Sequence, residues 1–121
     1  MIQGLYFVDM PHMKKLAMLP RFRSRIFSPQ EIKFLMGKDF SPYIIAEMYC
    51  AKIAFKKAMG TAFHGCDLKE VSVMADYSGQ YYLSLTGRSK MQFTFKKMKS
   101  TVSCSHSNKI AMASVIFYDI K

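Results

Sequence analysis

The sequence predicts an α+β domain, and two patterns carry that prediction. One is a long apolar-rich stretch, residues 42–59, which opens with Ser-Pro and closes at a glycine, as α-helices commonly do. The other is a set of short segments, rich in β-branched and aromatic residues or alternating polar with apolar side chains, as β-strands do. Taken in chain order, these segments predict β-α-α-β-β-α-β-β.

The first half of the chain is predicted to hold one strand and two helices. Residues 2–8 form the strand, because aromatic and β-branched side chains dominate there. The first helix begins at Ser28, a good N-cap, with Pro29 in its first turn and Glu31 placed to complete a capping box. The long helix follows, with Ser41 predicted as its N-cap.

The second half is predicted to hold four strands and one helix. "EVSVMAD" (70–76) and "QYYLSLTG" (80–87) alternate polar with apolar residues and are joined by a short glycine turn. "RSKMQFTFKKMKS" (88–100) is predicted as a short basic helix. "TVSCSH" (101–106) and "IAMASVIFYDI" (110–120) are predicted as the closing pair of strands.

The composition is that of one folded domain. The chain has 121 residues, of which 50% are hydrophobic and 14% aromatic. This supplies enough apolar side chains for one buried core, so we expect a single domain over residues 1–121.

No targeting or membrane-spanning segment is predicted. The longest apolar runs are far shorter than the roughly 20 residues that span a bilayer. The opening "MIQGLYFVDM" has no basic stretch, which argues against a signal peptide. The three cysteines have neither zinc-ligand nor obvious disulfide spacing, which favours reduced, buried thiols. We therefore expect a cytoplasmic protein that does not enter a membrane.

The net charge of +10 predicts a partner that carries negative charge. An acidic protein, a phosphorylated ligand and a nucleic acid all meet that description. A nucleic acid is the least favoured of the three, because the sequence has neither an RRM-type aromatic signature nor zinc-finger spacing. Five of the basic residues lie in one proline-containing segment, residues 11–27. They are Lys14, Lys15, Arg21, Arg23 and Arg25.

The long helix gathers three lysines around an isoleucine. Lys52 and Lys56 are one turn apart, Lys57 follows, and Ile53 lies among them. Like charges at this spacing repel, so an anion beside them is favourable. Gly60 and the loop after it allow an extended ligand to approach the backbone closely. Two interpretations remain open here, a phosphate-binding site and a solvated lysine face.

A second candidate feature is "VSCSHS" near the C-terminus. Strand alternation places Ser105 on one face and Cys104 with His106 on the other. Short hydroxyl side chains and an imidazole can donate hydrogen bonds to a phosphate at the end of a strand. No acidic residue lies near His106 in the sequence, so a nucleophilic triad is not supported. A simple surface histidine is the alternative.

Taken together, these segments resemble the small trimeric phosphopantetheinyl transferases, the holo-acyl-carrier-protein synthase family. The resemblance runs through "MIQG", "RFRSRIFSPQE", "AKIAFKKAMGT", "SGQYYLSLTGRS" and "VSCSHSNKIAMASVI", in the family's order and spacing. It implies the family's fold, an antiparallel sheet packed on a long central helix.

The resemblance also implies a reaction and its partners. The family transfers the 4'-phosphopantetheine arm of coenzyme A to a serine of acyl carrier protein, using Mg²⁺, and works as a trimer whose sites are shared between subunits. A basic N-terminal surface docks the acidic carrier. The positions that match the family's coenzyme A site are Lys52, Lys57, Gly60, Ser105 and His106, and those that match the docking surface are Lys14, Arg21 and Arg25.

The family's two metal-binding carboxylates are missing. Their positions are occupied by Val8 and Ile53, whose hydrocarbon side chains have no oxygen to offer Mg²⁺. Asp9 stands one residue beyond the expected aspartate, so alternation turns it to the opposite face unless a bulge intervenes. Glu47 lies on another side of the helix from Ile53 and cannot replace the glutamate. The sequence thus leaves open a working transferase and a non-catalytic protein that binds coenzyme A or a carrier.

Overall fold

The computed structural model describes residues 2–95 and 98–119, and it confirms the α+β fold. Two short 3-10 turns, Gly60–Phe63 and Leu68–Glu70, connect the long helix to the second sheet. The helices and strands in chain order are β1 (Ile2–Asp9), α1 (Met10–Ala17), α2 (Pro20–Ile26), α3 (Pro29–Met36), α4 (Pro42–Met59), β2 (Val71–Ala75), β3 (Tyr81–Leu85), α5 (Gly87–Phe95), β4 (Met98–His106) and β5 (Ile110–Asp119).

The strands form two antiparallel sheets. In the larger one, β5 lies between β1 and β4, and the register sets Val115 opposite both Gly4 and Val102. The smaller sheet is the β2–β3 hairpin, whose turn is closed by Asp76 accepting hydrogen bonds from Ser78 and the Gln80 backbone. The two predicted strands and the turn that joins them are therefore confirmed.

Helix α4 is the centre of the core, as the sequence predicted. Small residues on its buried side, Ala46, Ala51 and Ala54, allow the large sheet to approach closely. Gly4 of β1 crosses the helix at its closest point, where a Cβ atom would collide with the Ala54 carbonyl. Because side chains alternate between the two faces of a strand, the even-numbered residues of β1 face α4 together with Gly4.

Three sequence expectations need correction. The proline-containing segment 11–27 forms most of two short helices, α1 and α2, each with its proline in the first turn. The basic helix predicted over 88–100 ends at Phe95, and β4 begins at Met98; residues 96 and 97 lie outside the described part. Ser41 precedes α4 as expected but its side chain makes no capping hydrogen bond.

The three cysteines form no disulfide, and Cys66, unlike the expected buried thiols, is only partly buried. Cys50 is fully buried and Cys104 is half-buried, and burial raises the pKa of each thiol to about 12. Both thiols are therefore protonated and unreactive near neutral pH. In the described residues, none of the helices combines the length and the apolar character that crossing a bilayer requires.

Candidate functional site

The C-terminal end of α4 combines exposed lysines with a pocket. Lys56 and Lys57 are exposed, and the Lys57 ammonium lies 5.0 Å from the centre of the Tyr6 ring. Gly60 ends the helix with φ 59°, which an L side chain rarely adopts. The pocket that follows has a volume of about 750 Å³. It is lined by Lys56, Gly60, Thr61, Phe63, His64, Gly65 and Cys66.

The pocket suits an anionic ligand with an apolar part. Lys56 and His64 supply nitrogen donors, and the Arg88 guanidinium packs directly over Gly65, where a Cβ atom would lie 3.3 Å from it. Phe63 provides a largely buried aromatic wall. Basic groups beside an aromatic ring and open backbone can hold a phosphorylated ring system.

Hydrocarbon and aromatic side chains occupy the place where the family's metal ligands are expected. Tyr6 and Val8 project from β1 toward α4, and the Tyr6 and Tyr49 rings meet edge to face at 6.2 Å. Ile53 lies one turn from both Tyr49 and Lys57, the two α4 residues that contact Tyr6. We call Tyr6, Val8, Tyr49 and Ile53 the Tyr6–Ile53 patch; all four are half-buried.

This patch does not fit a magnesium ion. None of its four side chains carries a carboxylate, and the described residues include no cluster of three or more His, Cys, Asp or Glu able to hold a metal. The β1–β5 ladder runs without a bulge from Ile2 to Asp9, so Asp9 keeps the face opposite to Val8. Asp9 is exposed there, and its side chain caps no helix.

Lys52 does not stand with the other lysines, and its predicted role needs correction. Its ammonium is fully buried and forms an ion pair with Glu31. It also donates to the carbonyls of Ile26 at 2.7 Å and Leu68 at 2.9 Å. The ring of Phe27 covers it at 5.2 Å. No surface of this ammonium is left for a diphosphate, so Lys52 is a structural residue here.

Through Glu31, the Lys52–Glu31 pair also joins α4 to α3 and β2. Glu31 accepts from the backbone N–H of Ser28 at the start of α3 and from that of Val73 in β2, both at 2.9 Å. Burial raises the pKa of the Glu31 carboxyl, and Lys52 opposes that rise. The sequence had indicated Glu31 as a capping-box residue, which is confirmed. Its second role, as partner of Lys52, could not be seen in local spacing.

His106 is held by a partner that sequence spacing did not reveal. Its Nδ1 lies 2.9 Å from Oε2 of Glu47, and the hydroxyl of Tyr81 donates to Oε1 of the same carboxylate at 3.0 Å. The Tyr43 ring stacks on the imidazole with centres 4.8 Å apart. On Tyr43, in turn, the Lys14 ammonium lies 5.1 Å from the ring centre.

Ser105 faces away from this cluster. It is paired with Met112 on the outer surface of the large sheet, whereas His106 is turned toward α4. The predicted separation of the two side chains is therefore confirmed.

The chain by itself does not bring all the predicted phosphate-binding residues together. Glu47, which holds His106, and Lys57 lie on the same helix, about 15 Å apart at 1.5 Å per residue. Two half-sites result, one with Lys57 and Gly60 and the other with His106.

The predicted docking residues are all exposed and lie on two consecutive helices. Lys14 is on α1, and Arg21 and Arg25 are on α2. Between the two helices, Met18 and Leu19 are 74% and 51% exposed. Exposed apolar residues thus lie between the two basic helices along the chain, a combination that suits an acidic amphipathic partner.

Comparison with known proteins decides the family. The sequence model of the 4'-phosphopantetheinyl transferase superfamily matches residues 8–113. The chain belongs to this superfamily. Among curated members, it is 31% identical over 114 residues to the holo-[acyl-carrier-protein] synthase of Clostridium botulinum strain Eklund 17B, covering 93% of each chain. It is 30% identical over 115 residues to that of Treponema denticola, covering 93% of this chain and 94% of the relative.

Solved structures of this superfamily share the fold. The holo-[acyl-carrier-protein] synthase of Neisseria meningitidis superposes with a TM-score of 0.86 at 22% identity, over 98% of this chain and all 100% of the other. The Helicobacter pylori synthase in complex with coenzyme A superposes with a TM-score of 0.80 at 22% identity, over 97% and 100% of the two chains. The fold of these structures is therefore shared over nearly the whole length of the chain.

Proposed function

We propose that this chain binds coenzyme A and an acidic acyl carrier protein but has lost the magnesium-dependent transfer of 4'-phosphopantetheine. Its synthase relatives and the coenzyme A complex of a structural neighbour support the two ligands. The pocket after α4, with Lys56 and Arg88 beside it, supports a phosphorylated ligand. Reduced cysteines fit the reducing cytoplasm, where we place the protein.

The Tyr6–Ile53 patch is the observation that carries the loss of transfer. A divalent cation normally neutralises the charge that develops on the phosphate during transfer and orients the diphosphate. The positions that resemble the family's two ligands hold valine and isoleucine, flanked by two tyrosine rings. Such a surface cannot coordinate a hard cation, which requires oxygen ligands.

We further propose a homotrimer in which neighbouring protomers complete each coenzyme A site. The separation of Lys57 from His106 along α4 supports this, because a second protomer can bring the missing half-site alongside. The outer face of the large sheet supports it as well. Leu5 and Phe7 are exposed there, beside half-buried Met112 and Ile116, and an apolar sheet face of this kind is suited to assembly.

The surface around Met18 and Leu19 is the proposed docking site for the carrier. Lys14, Arg21 and Arg25 flank these apolar residues in the sequence, and their exposed charges can attract an acidic helix before the apolar contact forms.

Transfer without a bound magnesium ion is the second candidate function. The Glu47–His106 pair favours it, because an imidazole held by a carboxylate can take the proton of an attacking hydroxyl. The cation's share of charge neutralisation would then fall to the lysines alone.

A carrier-modification assay separates these functions. The protein is incubated with coenzyme A and apo carrier protein, with Mg²⁺ or with EDTA, beside the C. botulinum relative as positive control. We expect the relative to add mass to the carrier and this chain to add none, while coenzyme A raises its Tm equally in both buffers. Modification that EDTA abolishes would contradict the proposal, modification that resists EDTA would favour the second candidate, and no effect of coenzyme A on Tm would refute binding.

A further inference from the structure

We propose that Glu47 is a positioning residue that fixes His106 with its Nε2 atom directed at the ligand. The inference rests on the proposed function, in which His106 contacts a phosphate of coenzyme A. The Glu47 carboxylate caps no helix and is not part of the Lys52–Glu31 ion pair, so the proposal gives it a role of its own.

Two independent contacts restrict the imidazole. The hydrogen bond from Nδ1 to Glu47 Oε2, at 2.9 Å, sets the rotation of the ring about its bond to the Cβ atom. The Tyr43 ring, nearly parallel at an interplanar angle of 28°, supports one face of the imidazole. A side chain held by both contacts keeps little rotamer freedom, so it loses little conformational entropy when it binds a ligand.

Glu47 is itself fixed in place. Its side chain is 11% exposed, its Oε1 accepts from Tyr81, and its backbone carbonyl accepts from the Cys104 thiol at 3.7 Å. Burial raises the pKa of the Tyr81 phenol, so Tyr81 remains a hydrogen-bond donor throughout the neutral range. Burying a carboxylate is costly unless hydrogen bonds repay it, and here both of its oxygens are used.

The geometry determines which ring nitrogen is available to a ligand. An ionised carboxylate can only accept a hydrogen bond. Nδ1 of His106 therefore carries a proton and donates the hydrogen bond to Glu47. Nε2 lies across the ring from Nδ1, and the His106 side chain is 39% exposed. The doubly protonated imidazolium is the form that offers Nε2–H to a phosphate oxygen, and in that form Nδ1–H still faces Glu47.

The test combines ring-nitrogen NMR with coenzyme A affinity. In ¹⁵N-histidine-labelled protein, we expect the neutral form of His106 to carry its proton on Nδ1. Glu47→Ala should shift this form toward the usual Nε2–H tautomer and weaken coenzyme A binding about tenfold, as the loss of one charged hydrogen bond does. Glu47→Gln, which keeps an acceptor of the same shape, should restore most of the affinity.

A double-mutant cycle distinguishes positioning from simple support of the fold. If Glu47 acts through His106, then Glu47→Ala should have no further effect on coenzyme A affinity in a His106→Ala background. An equal loss in both backgrounds, or an Nε2–H tautomer in the unmutated protein, would overturn the inference. The tautomer of His106 is measured without ligand, so the two parts of the inference are tested separately. If the spectrum shows Nδ1–H but the protein binds no coenzyme A, the proposed function and the ligand contact are refuted, while the contact between Glu47 and His106 is established.

Discussion

Lys52→Met is expected to lower the free energy of unfolding by about 3–5 kcal/mol, because it leaves the Glu31 carboxylate buried without its partner. Both side chains are completely buried. The change also removes the donor to the carbonyls of Ile26 and Leu68, which tie the end of α2 and the segment before β2 to the central helix. The loss should appear in urea or thermal unfolding at neutral pH.

The matched control for this change is Lys57→Met on the same helix. Lys57 is exposed, so its replacement should change stability by no more than about 0.5 kcal/mol. The double change Lys52→Met with Glu31→Gln should recover part of the loss, since no charge is then left unpaired. If Lys52→Met and Lys57→Met unfold alike, the buried ion pair is absent in solution.

Gly4→Ala is the second change with a large expected effect. The added Cβ meets the Ala54 carbonyl and the backbone near Ala58, which are fixed parts of α4 and cannot rotate away. The strand must shift outward, and we expect a loss of about 3 kcal/mol, the upper end for overpacked cores.

Gly37→Ala provides the matched control for Gly4→Ala. Gly37 has a helical φ of −68°, and a Cβ atom there would lie 3.4 Å from its nearest neighbour. This change should be neutral or stabilising by about 0.4–1 kcal/mol. Equal thermal midpoints for the two variants would show that β1 does not press on α4 as described.

Local signals in the sequence were sufficient for the framework of the fold. Three predicted features depend only on neighbours within four residues in the chain. They are the Ser28–Glu31 capping box, the length of α4 and the opposite faces of Ser105 and His106. Helix and strand periodicity report such relationships directly.

Long-range pairing accounts for what the sequence did not reveal. Lys52 is close in sequence to two other lysines, and their positions on the helix do not indicate which of the three is buried. Its partner Glu31 is on another helix. Glu47 and His106 are likewise 59 residues apart. A buried charged group requires hydrogen-bond partners. This rule could have indicated that a partner exists, but not which residue it is.

The proposed loss of transfer requires that hydrocarbon side chains stand where the family's magnesium ligands are expected. Val8 and Ile53 belong to a half-buried patch with two tyrosine rings, and no carboxylate of the described residues joins a metal-binding cluster. Restoring both family ligands with Val8→Asp and Ile53→Glu should create repulsion between carboxylates without metal and attract Mg²⁺ when coenzyme A supplies phosphate oxygens.

The most direct test is calorimetric titration of coenzyme A into the unmutated protein and the Val8→Asp, Ile53→Glu variant, each with Mg²⁺ and with EDTA. We expect the Kd of the unmutated protein to be the same in both buffers, and that of the variant to fall at least about tenfold when Mg²⁺ is present. Magnesium-dependent binding of coenzyme A by the unmutated protein would contradict the proposed loss of the magnesium site.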